Sequence, residues 1–340
     1  IGRGHKIAFN VLNIGRLKLG ARSVGAMKLS LSESAKYAKE RHQFGQPIAS
    51  FPLIKQKIAG MGIRAYVGES MLYRALGAID RSLESTDKDD HHKVLAVLEQ
   101  YAAECSIIKV WETEALAWIV DEEVQVFGGY GYSRDYPAER AYRDARIARI
   151  YEGTNEINRI VIATQLLRRA RSGELALLDA ADRVGAGGAA VNDTLSLNLA
   201  ATTLSHELKM LAAAKAMAVT SIGAVMRAYG DRARDEQEAL ALIADIVIDV
   251  YAMESCLLRT ERLIAERGEE RASVQTDITR VFVRDAAERV ERAARSIAVE
   301  TSDGNESGLV DRLVHRAPMK SVAAVRRIAD SFLTAGKYNL

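Results

Sequence analysis

Residues 7–41 read IAFNVLNIGRLKLGARSVGAMKLSLSESAKYAKER. Leu12, Ile14, Leu17, Leu19, Val24, Met27, Leu29, Leu31, Ala35 and Ala38 recur there in mixed steps of three and four rather than by alternation, which is the mark of a helix with a broad buried face. Gly45 and Pro47 stop that helix. Residues 51–79 and roughly 88–127 then read as two more long helices, until Gly128, Gly129 and Gly131 force a turn. A short helix follows Pro137, and another begins near Thr154 with Ile157, Ile160, Val161, Leu166 and Leu167 turned inward.

The same spacing continues over residues 197–229, 237–267, 272–302 and 318–334, and only four prolines punctuate the 340 residues. Long antiparallel helices with short connections predict an all-α fold, two helical bundles in tandem. The glycine-rich stretch Val184-Gly-Ala-Gly-Gly-Ala189 is the natural linker, because glycine disfavours helix. The expected organisation is a first bundle over 1–172, a linker over 173–190 and a second bundle over 191–340. An internal echo at a shift of 185 pairs Tyr66–Arg74 with Tyr251–Arg259, and Phe44-Gly45 with Tyr229-Gly230, which suggests a degenerate duplication.

The 47 Lys and Arg against 45 Asp and Glu leave a formal charge of +2, giving no electrostatic reason to expect a nucleic-acid partner. Cys105 and Cys256 are the only cysteines; far apart and without metal-type spacing, they read as two small buried hydrophobes rather than a disulfide or a zinc site. No uninterrupted apolar run reaches the roughly 18 residues of a membrane-spanning helix, so no transmembrane segment is expected. The first residue is not Met, and the sequence is expected to begin inside a larger protein.

Three segments at helix ends exceed what a plain bundle needs: Arg41-His-Gln-Phe-Gly-Gln-Pro47, Gln125-Val-Phe-Gly-Gly-Tyr-Gly-Tyr132 and Ile150-Tyr-Glu-Gly-Thr-Asn-Glu-Ile-Asn158. Each alone has a bland reading, as a helix stop, a tight turn and a capped helix start. The glycines at 128–131 are no dinucleotide fingerprint, since that motif follows a strand in a βαβ unit and these follow a helix. Thr154 is placed to cap the next helix with its hydroxyl, leaving the Glu152 carboxylate just outside the first turn.

Taken together, in this order and spacing, the three segments resemble the carboxy-terminal helical domain of the acyl-CoA dehydrogenases, over residues 10–167. The resemblance implies a four-helix-bundle domain of that type and an FAD cofactor. Arg41, Gln43 and Phe44 are then expected at the cofactor's pyrophosphate and adenosine end, for which an arginine fork is suited. Gln125, Gly128 and Gly129 form a second cofactor contact, and Thr154 and Glu156 a third. Glu156 departs from one common form, which has Gln there. Asn13 and Arg16 match positions that meet the CoA moiety, while Tyr151 and Gly153 flank the substrate.

The reaction implied is α,β-dehydrogenation of a fatty acyl-CoA thioester, as in fatty acid β-oxidation, with Glu152 as the base. Some members place that glutamate on the first long helix instead; the matching residue here is Gly15, which leaves Glu152 alone. No metal is implied. The second half is similar in length and position to the extra helical domain of very-long-chain acyl-CoA dehydrogenases, and is expected to serve structure and to favour a dimer over other homo-oligomers. Electron-transfer flavoprotein is the implied acceptor. The implied compartment is a bacterial cytoplasm or, for a eukaryotic protein, the mitochondrial matrix, with peripheral membrane association open. The family's amino-terminal helical and middle β domains have no counterpart here, so this chain alone is expected to be inactive. An acyl-CoA oxidase sharing the base and flavin, and a non-catalytic helical oligomerisation module, remain as alternatives.

Overall fold

A computed structural model of the chain describes residues 4–87, 89–186, 202–301 and 307–340. Among them are twelve α-helices and a single pair of two-residue strands. Helix α1 (Gly4–Glu40) runs into strands β1 (His42–Gln43) and β2 (Gln46–Pro47), antiparallel with His42 opposite Pro47. Phe44 and Gly45 form the turn at φ of 53° and 80°; two consecutive left-handed residues are what a tight two-residue hairpin requires. Helix α2 (Pro52–Glu84) follows, with its proline at the helix start.

Residues 88–127, expected as one helix, are two: α3 (His91–Gln100) and α4 (Ala102–Phe127). Asp90 caps α3 by accepting from the His92 and Lys93 amides. Tyr101 forms the break, its hydroxyl donating to the Ala78 carbonyl and meeting Ser82 Oγ on α2. Helices α5 (Pro137–Arg146) and α6 (Asn155–Arg171) lie where expected.

The expected linker also contains structure. Residues Leu177–Gly185 form α7, whose Ala180, Ala181 and Val184 are buried; a β-carbon on Gly223 would come within 2.7 Å of the Ala181 methyl, so α7 sits close against α8 (Ser205–Tyr229). The remainder of the linker, residues 187–190, lies outside the described residues. Then come α9 (Gln237–Arg267), α10 (Ser273–Thr301), the short α11 (Ser307–Leu313) and α12 (Ser321–Ala335). The stretch Ser205–Asp235 is long and apolar enough to cross a membrane by composition, but 78% of its apolar window is buried in the protein, as in a core helix.

The chain divides into two compact units, though not at residues 173–190. The first comprises residues 1–158, 270–278 and 320–340, and the second residues 159–269 and 279–319. The carboxy-terminal helix therefore belongs to the first unit. Its Phe332 is fully buried, and Arg327 makes a two-pronged ion pair with Asp277 at 2.7 and 2.9 Å. In α2, Gly62 makes room for the Phe332 ring: a β-carbon there would lie 1.9 Å from it. In the second unit Arg289 clasps Asp249 at 2.6 and 2.9 Å, and Arg159 pairs with Asp245 at 2.8 Å.

Candidate active site and cofactor surface

The three sequence segments gather in two places, both in the first unit. At one, the hairpin after α1 meets the end of α4. Tyr37 stacks on Phe127 with ring centroids 4.1 Å apart and donates its hydroxyl to the Phe127 carbonyl at 3.2 Å. The Arg41 guanidinium lies over the Tyr130 ring at 5.2 Å. The segment that carries Arg41, Gln43 and Phe44 thus meets the one that carries Gln125, Gly128 and Gly129. Phe44 and Tyr132 are 91% and 87% exposed, an unusual position for aromatic rings without a partner to cover them. Gly128 takes φ 61° with ψ −139°, a glycine-only conformation, and a β-carbon on either Gly128 or Gly129 would touch nothing within 4 Å.

At the other place, residues 150–158 cross over α1 and α4. Glu152 is left-handed at φ 59°, a conformation costing a non-glycine residue about 1–2 kcal/mol. That backbone sends its side chain to Gly15: a β-carbon there would lie 2.6 Å from Glu152 Oε2 and 2.8 Å from Cδ and Oε1. The absence of a side chain at 15 is what admits the carboxylate. Thr154 caps α6 by accepting from the Ile157 amide at 3.3 Å, and Glu156 is exposed at the start of that helix.

Sequence reasoning missed the residues that hold this loop. Lys109, wholly buried on α4, donates from Nζ to the Gly153 carbonyl at 2.7 Å and to Asn155 Oδ1 at 2.5 Å. Asn158 Nδ2 donates to the Gly153 and Thr154 carbonyls at 2.8 and 3.0 Å. Burial pushes the Lys109 ammonium down to about 8, helped by the nearby Arg16 and opposed by Glu156, Glu114 and Glu152.

Asn13 and Arg16 are also found here, but turned inward. Arg16 is 7% exposed; its Nε donates to the Glu152 carbonyl at 3.2 Å, and its Nη1 to Asn13 Oδ1 at 3.0 Å and Ser106 Oγ at 3.3 Å. Buried and engaged in this way, the pair supports the loop, whereas a phosphate contact needs a guanidinium on offer to solvent. Cys105 is buried and its thiol is pushed up to about 12 by desolvation, with Glu104 adding to the rise, so it stays protonated and inert.

One turn along α1 from Gly15, Leu19 opens a cavity of about 220 Å³. Leu29, Leu116, Val120 and Ala148 supply apolar wall, Glu33, Glu123, Arg140 and Asp144 also line it, and Tyr151, whose hydroxyl accepts from Arg22 at 3.1 Å, stands beside the Glu152 end. Among the described residues no group of His, Cys, Asp and Glu is placed to hold a metal ion.

A mainly helical chain in which a glycine-shaped gap receives a loop carboxylate, near a cavity and apart from an exposed Arg–aromatic surface, has the form of a helical domain that carries a ligand site. The comparisons with known proteins define the group. Models of the acyl-CoA dehydrogenase C-terminal domain match residues 2–167 and 213–316. A probable acyl-CoA dehydrogenase of Bacillus subtilis (strain 168) is 38% identical over 351 residues, covering 100% of this chain and 58% of that protein. The mitochondrial very long-chain specific acyl-CoA dehydrogenase of Bos taurus is 31% identical, over 78% of this chain and 41% of its own length. A crystal structure of an acyl-CoA dehydrogenase complexed with FAD from Bacillus anthracis superposes with a TM-score of 0.94 at 38% identity, covering all of this chain and 59% of that one. The chain belongs to the acyl-CoA dehydrogenase family, and spans less than three-fifths of the length of these relatives.

Proposed function

We propose that the protein is the helical part of an FAD-dependent acyl-CoA dehydrogenase of fatty acid β-oxidation, with Glu152 as the base that removes the α-proton of the acyl thioester. One observation carries this reading: the Glu152 carboxylate is held in a costly left-handed backbone, in the space left by Gly15, one helical turn from a cavity with apolar and charged walls. A structural glutamate needs none of that strain. The acyl chain occupies the cavity, with Tyr151 and Gly153 flanking the thioester and Glu152 facing its α-carbon. Arg16 contributes by fixing the Glu152 carbonyl, and Asn13 by accepting from Arg16.

The exposed surface fits a dinucleotide cofactor. Among the described residues no carboxylate pairs with the Arg41 guanidinium, which leaves its donors for a pyrophosphate. Gly128 and Gly129 let a ligand reach backbone, Phe44 offers a ring face, and Gln43 and Gln125 supply neutral polar groups. Thr154 and Glu156, at the start of α6, meet the cofactor near the base. When bound, FAD supplies the two-electron acceptor for the hydrogen leaving the β-carbon.

Electron-transfer flavoprotein is the proposed acceptor, and a dimer the proposed assembly. Replacing Glu152 by Gln should abolish α-proton removal while leaving FAD bound, because the amide keeps the shape and cannot take the proton. Turnover above about one per cent of the unsubstituted enzyme would overturn the assignment.

A further inference from the structure

A lysine with no exposed surface must use its donors, since an unpaired ammonium in a protein interior is costly. Lys109 is such a residue, placed in the middle of α4 between Ile108 and Val110, which are as deeply buried. Its two hydrogen bonds both go to the segment immediately after Glu152: to the carbonyl of Gly153 and to the side chain of Asn155, the first residue of α6. Asn155 is fixed in turn by donating to Glu114 Oε1 at 2.9 Å and Thr113 Oγ1 at 3.2 Å, so the far end of the contact cannot drift.

The carbonyls of residues 152 and 153 point into this network instead of into a helix, and that of 154 serves both, since it also accepts the backbone amide of Asn158 at 3.0 Å. Arg16 on α1 takes the first, Lys109 on α4 the second, and Asn158 on α6 the second and third. The charged groups facing Lys109 are Arg16 from α1, Glu114 from its own helix, Glu152 from the loop and Glu156 from α6. Both hydrogen bonds run to backbone and amide, so the lysine has no path to a reacting atom. Its influence passes through the loop it grips.

We propose that Lys109 is a positioning residue for the Glu152 base: held to Gly153 and Asn155, it keeps Glu152 left-handed and its carboxylate in the gap at Gly15. The inference rests on the reading of Glu152 as the base. Lys109→Met keeps much of the length and apolar stem and removes both donors. Gly153 would then rely on Asn158 alone, and the peptide after Gly153 is held more loosely.

The test uses the full-length, FAD-loaded enzyme and a non-oxidisable acyl-CoA thioether analogue, measuring exchange of the α-proton in deuterated water. It compares the Lys109→Met, Glu152→Gln and double variants, together with a crystal structure of the first. Lys109→Met should slow exchange on the order of 10–100-fold with a smaller change in analogue affinity, the effect of an ångström-scale misplacement. Its crystal structure should show Glu152 out of the left-handed region. In the Glu152→Gln background the same substitution should cost nothing further, because both act through one carboxylate.

An equal proportional loss in both backgrounds would show a merely structural lysine, and normal exchange with Glu152 unmoved would overturn the inference outright. If Lys109→Met does not fold, Asn155→Ala removes one of the two acceptors with the lysine in place, and unimpaired exchange in that variant overturns it equally. Exchange surviving Glu152→Gln brings down the base assignment itself, an outcome distinct from normal Lys109→Met in an enzyme that Glu152→Gln inactivates.

Discussion

Single residues set the geometry of the site, and their substitution separates activity from stability. Gly15→Ala places a methyl where the Glu152 carboxylate lies. The carboxylate is the end of a flexible side chain and can swing away, so the thermal midpoint should hardly move while turnover falls on the order of 10–100-fold. A parallel loss of stability would show that Gly15 serves packing instead. Glu112 poses the opposite case. It is wholly buried on α4, neither oxygen has a hydrogen-bond partner, and desolvation with the nearby Glu69 raises its pKa well above the usual carboxylate value. With the folded pKa above the unfolded one, its contribution is fully present below the unfolded pKa. It is lost as pH rises towards the folded value, by up to about 1.4 kcal/mol per pH unit. Glu112→Gln should therefore flatten the fall in urea-denaturation stability between about pH 5 and pH 7; an unchanged slope would show the acid to be hydrated. Glu123, which burial pushes up to about 7, acts in the same sense, so part of the slope should remain. The place of Glu152 just outside a capped helix start was legible in Tyr-Glu-Gly-Thr, while its proposed role came from the resemblance that the three segments carry together. Lys109 was not: inside Ile-Ile-Lys-Val it reads as a helix lysine on its way to solvent, and its acceptors lie more than forty residues downstream.

At the scale of elements, periodicity located most of the helices because their buried faces are written locally. It joined α3 to α4 because no Gly or Pro marks Tyr101, and passed over α7 because the glycines after it masked an Ala–Val face. At the echo of shift 185 the Tyr, Glu and Ser positions make like contacts, though the lysines that meet the two glutamates stand 187 apart and so fall two residues out of that register. In α2, Ser70 donates to the Tyr66 carbonyl and Glu69 pairs with Lys28 of the preceding long helix; in α9, Ser255 donates to the Tyr251 carbonyl and Glu254 pairs with Lys215 of the preceding long helix. The two hairpins share that pairing, while Met226 stands where the shift would place a copy of Arg41. Packing between α2 and α12 is tested by Gly62→Ala. The Phe332 ring is fully buried and meets the added methyl, so overpacking should cost about 1–3 kcal/mol in chemical denaturation. Combining it with Phe332→Leu should recover part of the loss; independent, additive losses would place the strain elsewhere.

For the whole molecule, the two units do not follow the order of the chain. Tandem bundles were the expectation because local pattern says which face of a helix is apolar and nothing of which distant helix covers it. Residues 320–340 complete the first unit through Ile328, Ala329, Phe332 and Leu333 of α12. Both tryptophans, Trp111 and Trp118, lie on α4 of that same unit, so tryptophan fluorescence reports its unfolding. Ending the chain after Met319 should lower the midpoint seen by that fluorescence, with a loss above about 3 kcal/mol from the missing Phe332 contacts alone. An unchanged tryptophan transition would show α12 to be dispensable. The interleaving also orders events during synthesis. Domains built from one continuous segment can fold as they emerge, amino-terminal first. Here the unit that carries Glu152 stays open until residues 320–340 have been translated, and until then the face of α2 around Gly62 is one for chaperones to guard.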